Sequence, residues 1–207
     1  MNPPIVRRAV VSEVPAMADT LQAAFEGYPW TDWVFPPHDR AERLRASFAL
    51  YLAASINTLG EVWTTEDHRS VAMWLAPGPK TLSDLESRRL DEQAAVLLGA
   101  NGGSVAAADA AVDALHPAQP YWFLGTVGTR PDWRGFGLCA AVLSPVLQRC
   151  DREGLCAVLD TSTRSNVRLY SRLGFETTAE VRPDHGGPHV WVMTRTPRTG
   201  PTGSSPT

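Results

Sequence analysis

The chain has 207 residues, of which 43% are hydrophobic, and this length and composition suffice for one domain with a substantial core. Its 22 acidic and 19 basic side chains give a formal charge of -3, so the chain lacks the positive field that attracts nucleic acids and anionic membranes. Its three cysteines lack zinc-site spacing and no apolar run approaches a membrane span, so we expect a cytoplasmic protein with reduced thiols, no metal and no membrane partner.

Hydrophobic periodicity predicts strands and helices over the first half of the chain. The aromatic, proline-rich stretch after Gly27 is expected to form a loop with buried anchors. The predicted elements are a strand at 5–10, a helix at 12–27, the loop at 28–37, a helix at 44–52 and strands at 61–65 and 70–75.

The segment from 80 to 116 is rich in alanine and resembles an insertion in the domain. Its pattern is helical and is interrupted by Asn101-Gly-Gly, so we expect two helices around a flexible break, without chemistry of their own. The elements predicted after it are a strand at 121–129, a helix at 137–153, a strand at 155–160, a short helix at 166–173 and strands at 175–181 and 189–194. We expect one domain over 1–197 and a disordered tail at 198–207.

A glycine turn, Arg134-Gly135-Phe136-Gly137-Leu138-Cys139, lies between a strong strand and a strong helix. Glycines at this place let backbone amides approach an anion at the positive end of the helix. A phosphate-binding Walker A loop is excluded because no Gly-Lys-Ser/Thr follows. The dinucleotide fingerprint G-x-G-x-x-A matches residues 135–140, but residues 130–134 separate the strand from the first glycine, and fewer than fifty residues follow Asp160.

Two polar side chains follow the second strand of this half. Asn166 and Tyr170 lie four residues apart, so they share one face of the short helix, directed back toward the glycine turn. The tyrosine hydroxyl there suits a polar role beside a bound ligand, and a half-buried core tyrosine is the structural alternative.

Together, Arg134-Gly135-x-Gly137, the helix and strand after it, and Asn166-x-x-x-Tyr170-x-x-x-Gly174-Phe175 resemble the acetyl-coenzyme A core of the GNAT acetyltransferase superfamily. The resemblance implies an α/β (α+β) fold with a mixed sheet of about six to seven strands, flanked by helices and splayed into a V between strands 121–129 and 155–160. It extends over nearly the whole chain and is densest from 121 to 197, where it is closest to the puromycin-type branch. Cys139 stands where the pattern usually has Gly or Ala, and Asp160 where that branch has Glu.

The resemblance also implies roles for the cosubstrate, acetyl-coenzyme A. Its pyrophosphate would lie on the amides of residues 134–139 and its acetyl group beside Val127, Gly128 and Thr129, with Asn166 and Tyr170 completing the site. A main-chain N–H of Val127 or Gly128 would stabilise the developing oxyanion. Tyr170 would protonate the leaving thiolate, since a phenol with a reference pKa of about 10 stays protonated at neutral pH.

Two further roles to consider are the general base and a covalent nucleophile. Asp160 is the carboxylate nearest the acetyl position and is our candidate base, with a turn-capping role as the alternative and His185 and His189 in reserve. Cys139, at a helix N-terminus, is expected to pack rather than to form an acetyl-enzyme.

The acceptor is expected to be a small amine. Its predicted site consists of aromatic side chains and one carboxylate, which together form an aromatic wall: Tyr28, Trp30, Asp32, Trp33 and Trp191. The alternative is that these side chains are buried and only anchor the loop. The resemblance implies an N-acetyltransferase of an aminonucleoside or a related amine antibiotic, in a monomer or homodimer. A GNAT enzyme for protein amino groups and a non-catalytic coenzyme A binding module stay open as alternatives.

Overall fold

Strands and helices follow the predicted order over the residues that the computed structural model describes, 4–78 and 82–198. The strands are β1 (Val6–Arg8), β2 (Gly60–Thr65), β3 (Ser70–Leu75), β4 (Tyr121–Thr129), β5 (Cys156–Thr161), β6 (Glu176–Val181) and β7 (Val190–Arg195). The helices are α1 (Val14–Ala24), α2 (Pro29–Val34), α3 (Arg40–Ala54), α4 (Asp84–Leu98), α5 (Gly102–Asp113), α6 (Leu138–Glu153) and α7 (Arg164–Arg172). The predicted tail, apart from residue 198, lies outside the described residues.

Within the described chain the strands form one seven-stranded sheet in the order β1-β2-β3-β4-β5-β7-β6. Neighbouring strands are antiparallel except β4 and β5, whose parallel pairing requires a crossover that α6 supplies. This parallel pairing runs only from Tyr121 opposite Cys156 to Leu124 opposite Leu159, and the two strands diverge beyond it. The predicted mixed sheet and its V-shaped splay are therefore confirmed.

A β-bulge in β4 lies where the splay begins. Met73 of β3 pairs with Thr126 and Trp74 pairs with Leu124, so Gly125 is an extra residue in the β4 strand. Bulges bend the strand that contains them and re-aim its side chains. Residues 125–129 therefore have β3 on one side and an open gap on the side of β5.

Helices cover both faces of the sheet. The apolar face of α6 packs on β4 and β5 in the larger core cluster, and α1 and α3 pack on β2 and β3 in a second one. Helix α1 lies directly on the backbone of β4, because a Cβ built on Gly128 would be 2.8 Å from side-chain carbons of Leu21 and Ala24. Any larger residue at 128 would push α1 away from the splay.

One segment differs from the sequence predictions. The stretch expected to be a loop contains the short helix α2, which begins at Pro29 because proline is favoured in the first turn of a helix. The two helices predicted around a break near Asn101 are α4 and α5, and the 3₁₀ turn Gly99–Asn101 separates them. Helix α4 ends at Gly99, whose φ of 59° and ψ of -136° are not helical, and Gly102 begins α5.

Counted through this turn, Asp84–Asp113 is one helix of 30 residues. Among the described residues it is the one helix that could cross a membrane by length and composition, with a mean hydropathy of 1.3 in its most apolar window. By length and composition this span contradicts the expectation that no run approaches a membrane span, although the non-helical backbone of Gly99 interrupts it. Only 17% of that window is buried in the fold.

Candidate active site

The glycine turn forms a cradle at the start of α6. Gly135 and Gly137 have φ values of 84° and 76°, which favour glycine, and a Cβ on either would meet no atom within 4 Å. The first-turn amides of α6 have no intrahelical partners, and the turn contains no acidic residue. Open space, free N–H groups and the positive helix end together suit a phosphate group.

The side chains of the turn divide between solvent and core. Phe136 is exposed, and the guanidinium of Arg134 donates a 2.9 Å hydrogen bond to the carbonyl of Ala24, which ties the turn to α1. Cys139 packs against the larger core cluster, and burial raises the pKa of its thiol to about 11. A thiol held protonated at neutral pH is a poor nucleophile, which agrees with the expected packing role.

One large cavity, of about 1020 Å³, opens between the splay and the helices on the opposite side. Candidate residues for three predicted roles line this cavity: Val127 and Tyr170 of the acetyl site, the candidate base Asp160, and Tyr28 of the acceptor site. Asn166 and Trp30 line it as well. Gly128, Thr129 and residues 134–139 lie outside this lining, in the end of β4 and the turn that follows it.

The backbone of β4 faces the cavity where it leaves β5. Successive N–H groups of a strand point to opposite edges, so every second amide of residues 125–129 points into the gap and has no strand partner there. Val127 lies at the centre of this stretch and lines the cavity. An unpartnered main-chain N–H at this place can stabilise negative charge on an oxygen.

Tyr170 directs its phenol into the same space. The residue is 6% exposed, and its hydroxyl makes no hydrogen bond to another described residue. Burial raises the pKa of Tyr170 well above its ordinary value, and the nearby Cys139 and Tyr28 add to the effect. The phenol is therefore a protonated donor without a protein acceptor.

Asp160 forms a buried pair with His116, which the sequence analysis did not single out. Nε2 of His116 lies 3.0 Å from each carboxylate oxygen of Asp160, and Nδ1 lies 3.1 Å from the hydroxyl of Tyr121. The His116 side chain is 5% exposed and that of Asp160 is 21% exposed, so the carboxylate is the member of the pair that faces the cavity.

The two pKa shifts follow from this pairing. Burial raises the pKa of Asp160, and the hydrogen bond and charge of His116 offset that rise only in part. Burial alone would lower the pKa of His116, but the hydrogen bond to Asp160 and the charges of Asp160 and Asp113 outweigh it, so the pKa is raised. The raised pKa of His116 favours its protonated form, and the raised pKa of Asp160 makes this carboxylate a stronger base than an ordinary aspartate.

The alanine-rich segment contributes acids to the cavity, contrary to the expectation that it has no chemistry. Asp109 and Asp113 of α5 line the cavity together with His116. Asp109 is exposed where it borders the cavity, but the protein atoms packed around its carboxylate, followed by the charges of Asp113 and Asp160, raise its pKa to about 6. The sequence contained a signal: the spacing i, i+4, i+7 of Asp109, Asp113 and His116 places three ionisable groups on one helical face among alanines.

The predicted acceptor wall is only partly assembled. Tyr28 lines the cavity, and its hydroxyl accepts a 2.7 Å hydrogen bond from the N–H of Ser162, which fixes the start of α2 to the end of β5. Asp32 and Trp33 lie outside the lining: Asp32 forms an ion pair with Arg40, and the Trp33 indole donates to the carbonyl of His185.

Trp191 is placed on the other side of the sheet from the acceptor wall. It is 7% exposed within the larger core cluster, and His189 stacks on it at 4.1 Å while pairing with Glu180. Trp191 does not line the cavity, and neither do His185 and His189, the alternative candidate bases. Within residues 4–78 and 82–198, no group of three or more His, Cys, Asp or Glu side chains is arranged to hold a metal ion.

Comparisons with known proteins place this geometry in a family. The profile of the acetyltransferase (GNAT) family matches residues 53–175. A structure of the histone acetyltransferase HPA2 and related acetyltransferase group from Corynebacterium glutamicum superposes with a TM-score of 0.71 at 24% identity, covering 96% of this chain and 98% of that one. The polyamine N-acetyltransferase of Drosophila melanogaster superposes with a TM-score of 0.63 at 18% identity, covering 94% and 100%.

An agmatine N-acetyltransferase superposes with a TM-score of 0.61 at 17% identity, covering 93% of this chain and 98% of that one. At these identities the structural likeness shows the shared fold. The family match covers more than half of the chain, including the glycine turn, the splay and α7. Members of this family use acetyl-coenzyme A to acetylate amines, and the chain belongs to the GNAT acetyltransferase family.

Proposed function

We propose that the protein transfers the acetyl group of acetyl-coenzyme A directly to the amine of a small molecule. The observation that carries this proposal is the shared cavity, in which Tyr170, the open edge of β4 and the Asp160–His116 pair face one space. An acid, an oxyanion donor and a base on one cavity are the groups that acyl transfer from a thioester to an amine requires.

The residues present fit acetyl-coenzyme A, which when bound supplies an activated acetyl thioester. The cradle of residues 134–139 would hold the pyrophosphate through its N–H groups, because the glycines leave room for it and no acid repels it. The gap between β4 and β5 would hold the pantetheine arm, and Asn166 and Tyr170 face that gap from α7. The exposed ring of Phe136 borders the cradle.

Asp160 would accept the proton of the incoming ammonium, directly or through water. Its raised pKa makes proton acceptance more favourable than for a solvent-exposed carboxylate. His116 would act as a positioning residue: with both nitrogens occupied by Asp160 and Tyr121, it fixes the carboxylate and stabilises its charge.

Tyr170 would give its proton to the departing thiolate. Its phenol is protonated and has no competing acceptor among the described residues. The hydroxyl of Tyr28, beside it, is already held by Ser162 and Thr161, which keeps the two phenols distinct in role. An amide of Val127 or Gly128 would stabilise the oxyanion, a donor whose loss typically costs about a hundredfold or more in rate.

The acceptor site favours a small molecule over a peptide. Helices α2, α3 and α5 roof the cavity, and aromatic side chains of Phe25, Tyr28 and Phe48 line it. The puromycin-type resemblance of segments such as Trp122–Gly128 supports an aminonucleoside or a related amine antibiotic as a first candidate. Two structural neighbours are named for the acetylation of polyamine and agmatine, which supports cationic amines as a second candidate class.

One assay tests the proposal. Release of free thiol from acetyl-coenzyme A is followed with puromycin, an aminoglycoside, spermidine and a histone-like peptide. Release that depends on a small amine supports the proposed function, and release that depends only on the peptide replaces it with protein acetylation. Tight coenzyme A binding by calorimetry without turnover on any acceptor would make the protein a non-catalytic binding module.

Asp160→Asn supplies the test of the base. The variant keeps the shape of the side chain and loses its basicity, so we expect the acid limb of the kcat/KM profile to disappear. A profile that keeps this limb would exclude Asp160 as the base.

A further inference from the structure

The end of the cavity formed by α5 is acidic. Three carboxylates line the cavity, those of Asp109, Asp113 and Asp160, and the described lining contains no lysine or arginine. His116 is the one basic group among the described lining residues, and it is already paired with Asp160. The site therefore holds more negative charge than the protein itself neutralises.

Asp109 is the carboxylate that nothing neutralises. It makes no hydrogen bond or ion pair with another described residue, whereas Asp160 has His116 and Asp113 lies 3.7 Å from Nδ1 of His116. Asp109 and Asp113 are one helical turn apart, roughly 6 Å along α5. Burial raises the pKa of the Tyr51 phenol from α3, and the nearby charges of Asp109 and Asp91 add to the rise.

A second, independent observation points to a polar ligand in the same cavity. Thr126 is 8% exposed and lines the cavity, and its hydroxyl is buried without a hydrogen-bond partner in the described protein. Buried hydroxyl groups are rarely left unpaired, because leaving one so is unfavourable. Thr126 follows the bulge at Gly125, in the part of β4 that has left β5.

The rest of the lining suits an organic cation. Aromatic rings surround the space between Asp160 and the helices, and their faces attract cations while their edges accept alkyl chains. These rings belong to Phe25, Tyr28, Trp30, Phe48, Tyr51, Tyr121 and Phe123.

We propose that the acceptor carries two cationic groups, the reacting amine at Asp160 and a second ammonium or guanidinium group at Asp109 and Asp113. This inference rests on the proposed function and narrows its substrate class to diamines, aminoalkylguanidines and larger polyamines. Because Asp113 lies beside His116 and Asp109 lies one turn farther, the two charges of the acceptor are separated by roughly one to two helical turns. An acceptor whose distal part is neutral leaves Asp109 without a partner.

The test compares two acceptors that differ in one charge. Thiol release from acetyl-coenzyme A is measured with 1,6-diaminohexane and with n-hexylamine, which has the same chain and one amine. We expect kcat/KM to be at least about tenfold higher for the diamine, because a charge-assisted hydrogen bond to a carboxylate is among the stronger polar contacts. Asp109→Asn should remove most of this preference, lowering kcat/KM for the diamine several-fold more than for n-hexylamine.

Glu92→Gln is the matched control. Glu92 lies on α4, the helix that precedes α5, is exposed and does not line the cavity, so Glu92→Gln changes the charge of the protein equally and should leave the preference intact. Equal kcat/KM values for the two amines, or an equal loss for both in Asp109→Asn, would overturn the second cation site.

Calorimetry separates this inference from the proposed function. Binding of 1,6-diaminohexane that is lost in Asp109→Asn supports the site even where no acceptor releases thiol, and in that case the proposed reaction alone fails. Equal turnover of acceptors with one and with two positive charges would support the proposed reaction and reject the second cation site.

Discussion

The pairing of His116 with Asp160 makes a prediction about the pH dependence of catalysis. In His116→Phe the ring can still pack against Tyr121 and Phe123, whose centroids lie 5.7 and 5.1 Å away, but both N–H groups are lost. The Asp160 carboxylate then keeps the burial that raises its pKa and loses the hydrogen bond and charge that lower it. Its pKa should therefore rise further.

The size of the shift follows from the contact. A hydrogen bond to a charged group contributes about 1.5–3 kcal/mol. One pKa unit corresponds to 1.36 kcal/mol, so the pKa of Asp160 should rise by roughly one to two units. At pH values below the pKa of Asp160, kcat/KM of the variant should then be lower than that of the unmodified protein by about tenfold for each pKa unit of the rise. At high pH, where Asp160 is ionised in both proteins, the rate should change less.

The assay is a kcat/KM profile against pH, taken with the amine that gives the strongest thiol release. His189→Phe is the control, since His189 also pairs with a carboxylate, at 2.9 Å from Glu180, but lies outside the cavity. We expect the acid limb to move in His116→Phe and to stay in the control. An unmoved limb, or an equal loss of rate at every pH, would refute the assigned positioning role of His116.

Burial and charge at Tyr170, Cys139 and Asp109 give three further predictions. Tyr170→Phe should lower kcat by roughly a hundredfold or more and change coenzyme A affinity little, because general acid catalysis is worth this much; stopped-flow turnover and calorimetry check both, and an unchanged kcat removes the phenol from the mechanism. Cys139→Ala should keep most activity, since burial holds the pKa of the thiol at about 11, and an inactive but folded variant would instead indicate a covalent route. The folded-state pKa of Asp109 is raised by burial to about 6, so its favourable contribution to stability is present in acid and lost as the pH rises through 6. Asp109→Asn should therefore raise Tm at pH 8 and leave it nearly unchanged near pH 4 in thermal unfolding, and a lower Tm at pH 8 would contradict the direction of this shift.

Local sequence signals predicted the parts of the site that lie on neighbouring elements. The glycine turn follows β4 and precedes α6 because only glycine readily adopts the positive φ at residues 135 and 137. Asn166 and Tyr170 share a face of α7 because of helical periodicity, and both line the cavity. The fold class followed from the resemblance that these motifs carry to the GNAT family.

One prediction was wrong because the local pattern is typical of two structures. The stretch after Tyr28 contains prolines and aromatic residues, which are typical of loops, but Pro29 in a first helical turn begins α2. The break predicted near Asn101 is present, because α4 ends at Gly99, where the positive φ favours glycine.

The sequence by itself predicted most of the elements, and its resemblance to the GNAT family predicted the sheet and the candidate cofactor half of the site, because the motifs involved consist of residues close together in the chain. Only the tertiary structure decided the acceptor half. His116 and Asp160 are 44 positions apart and meet because the end of α5 packs beside β5, and Trp191 is buried because β7 turns that side chain into the core. Which face of a strand or helix meets a distant element depends on the packing of the whole chain, and short-range spacing does not contain that information.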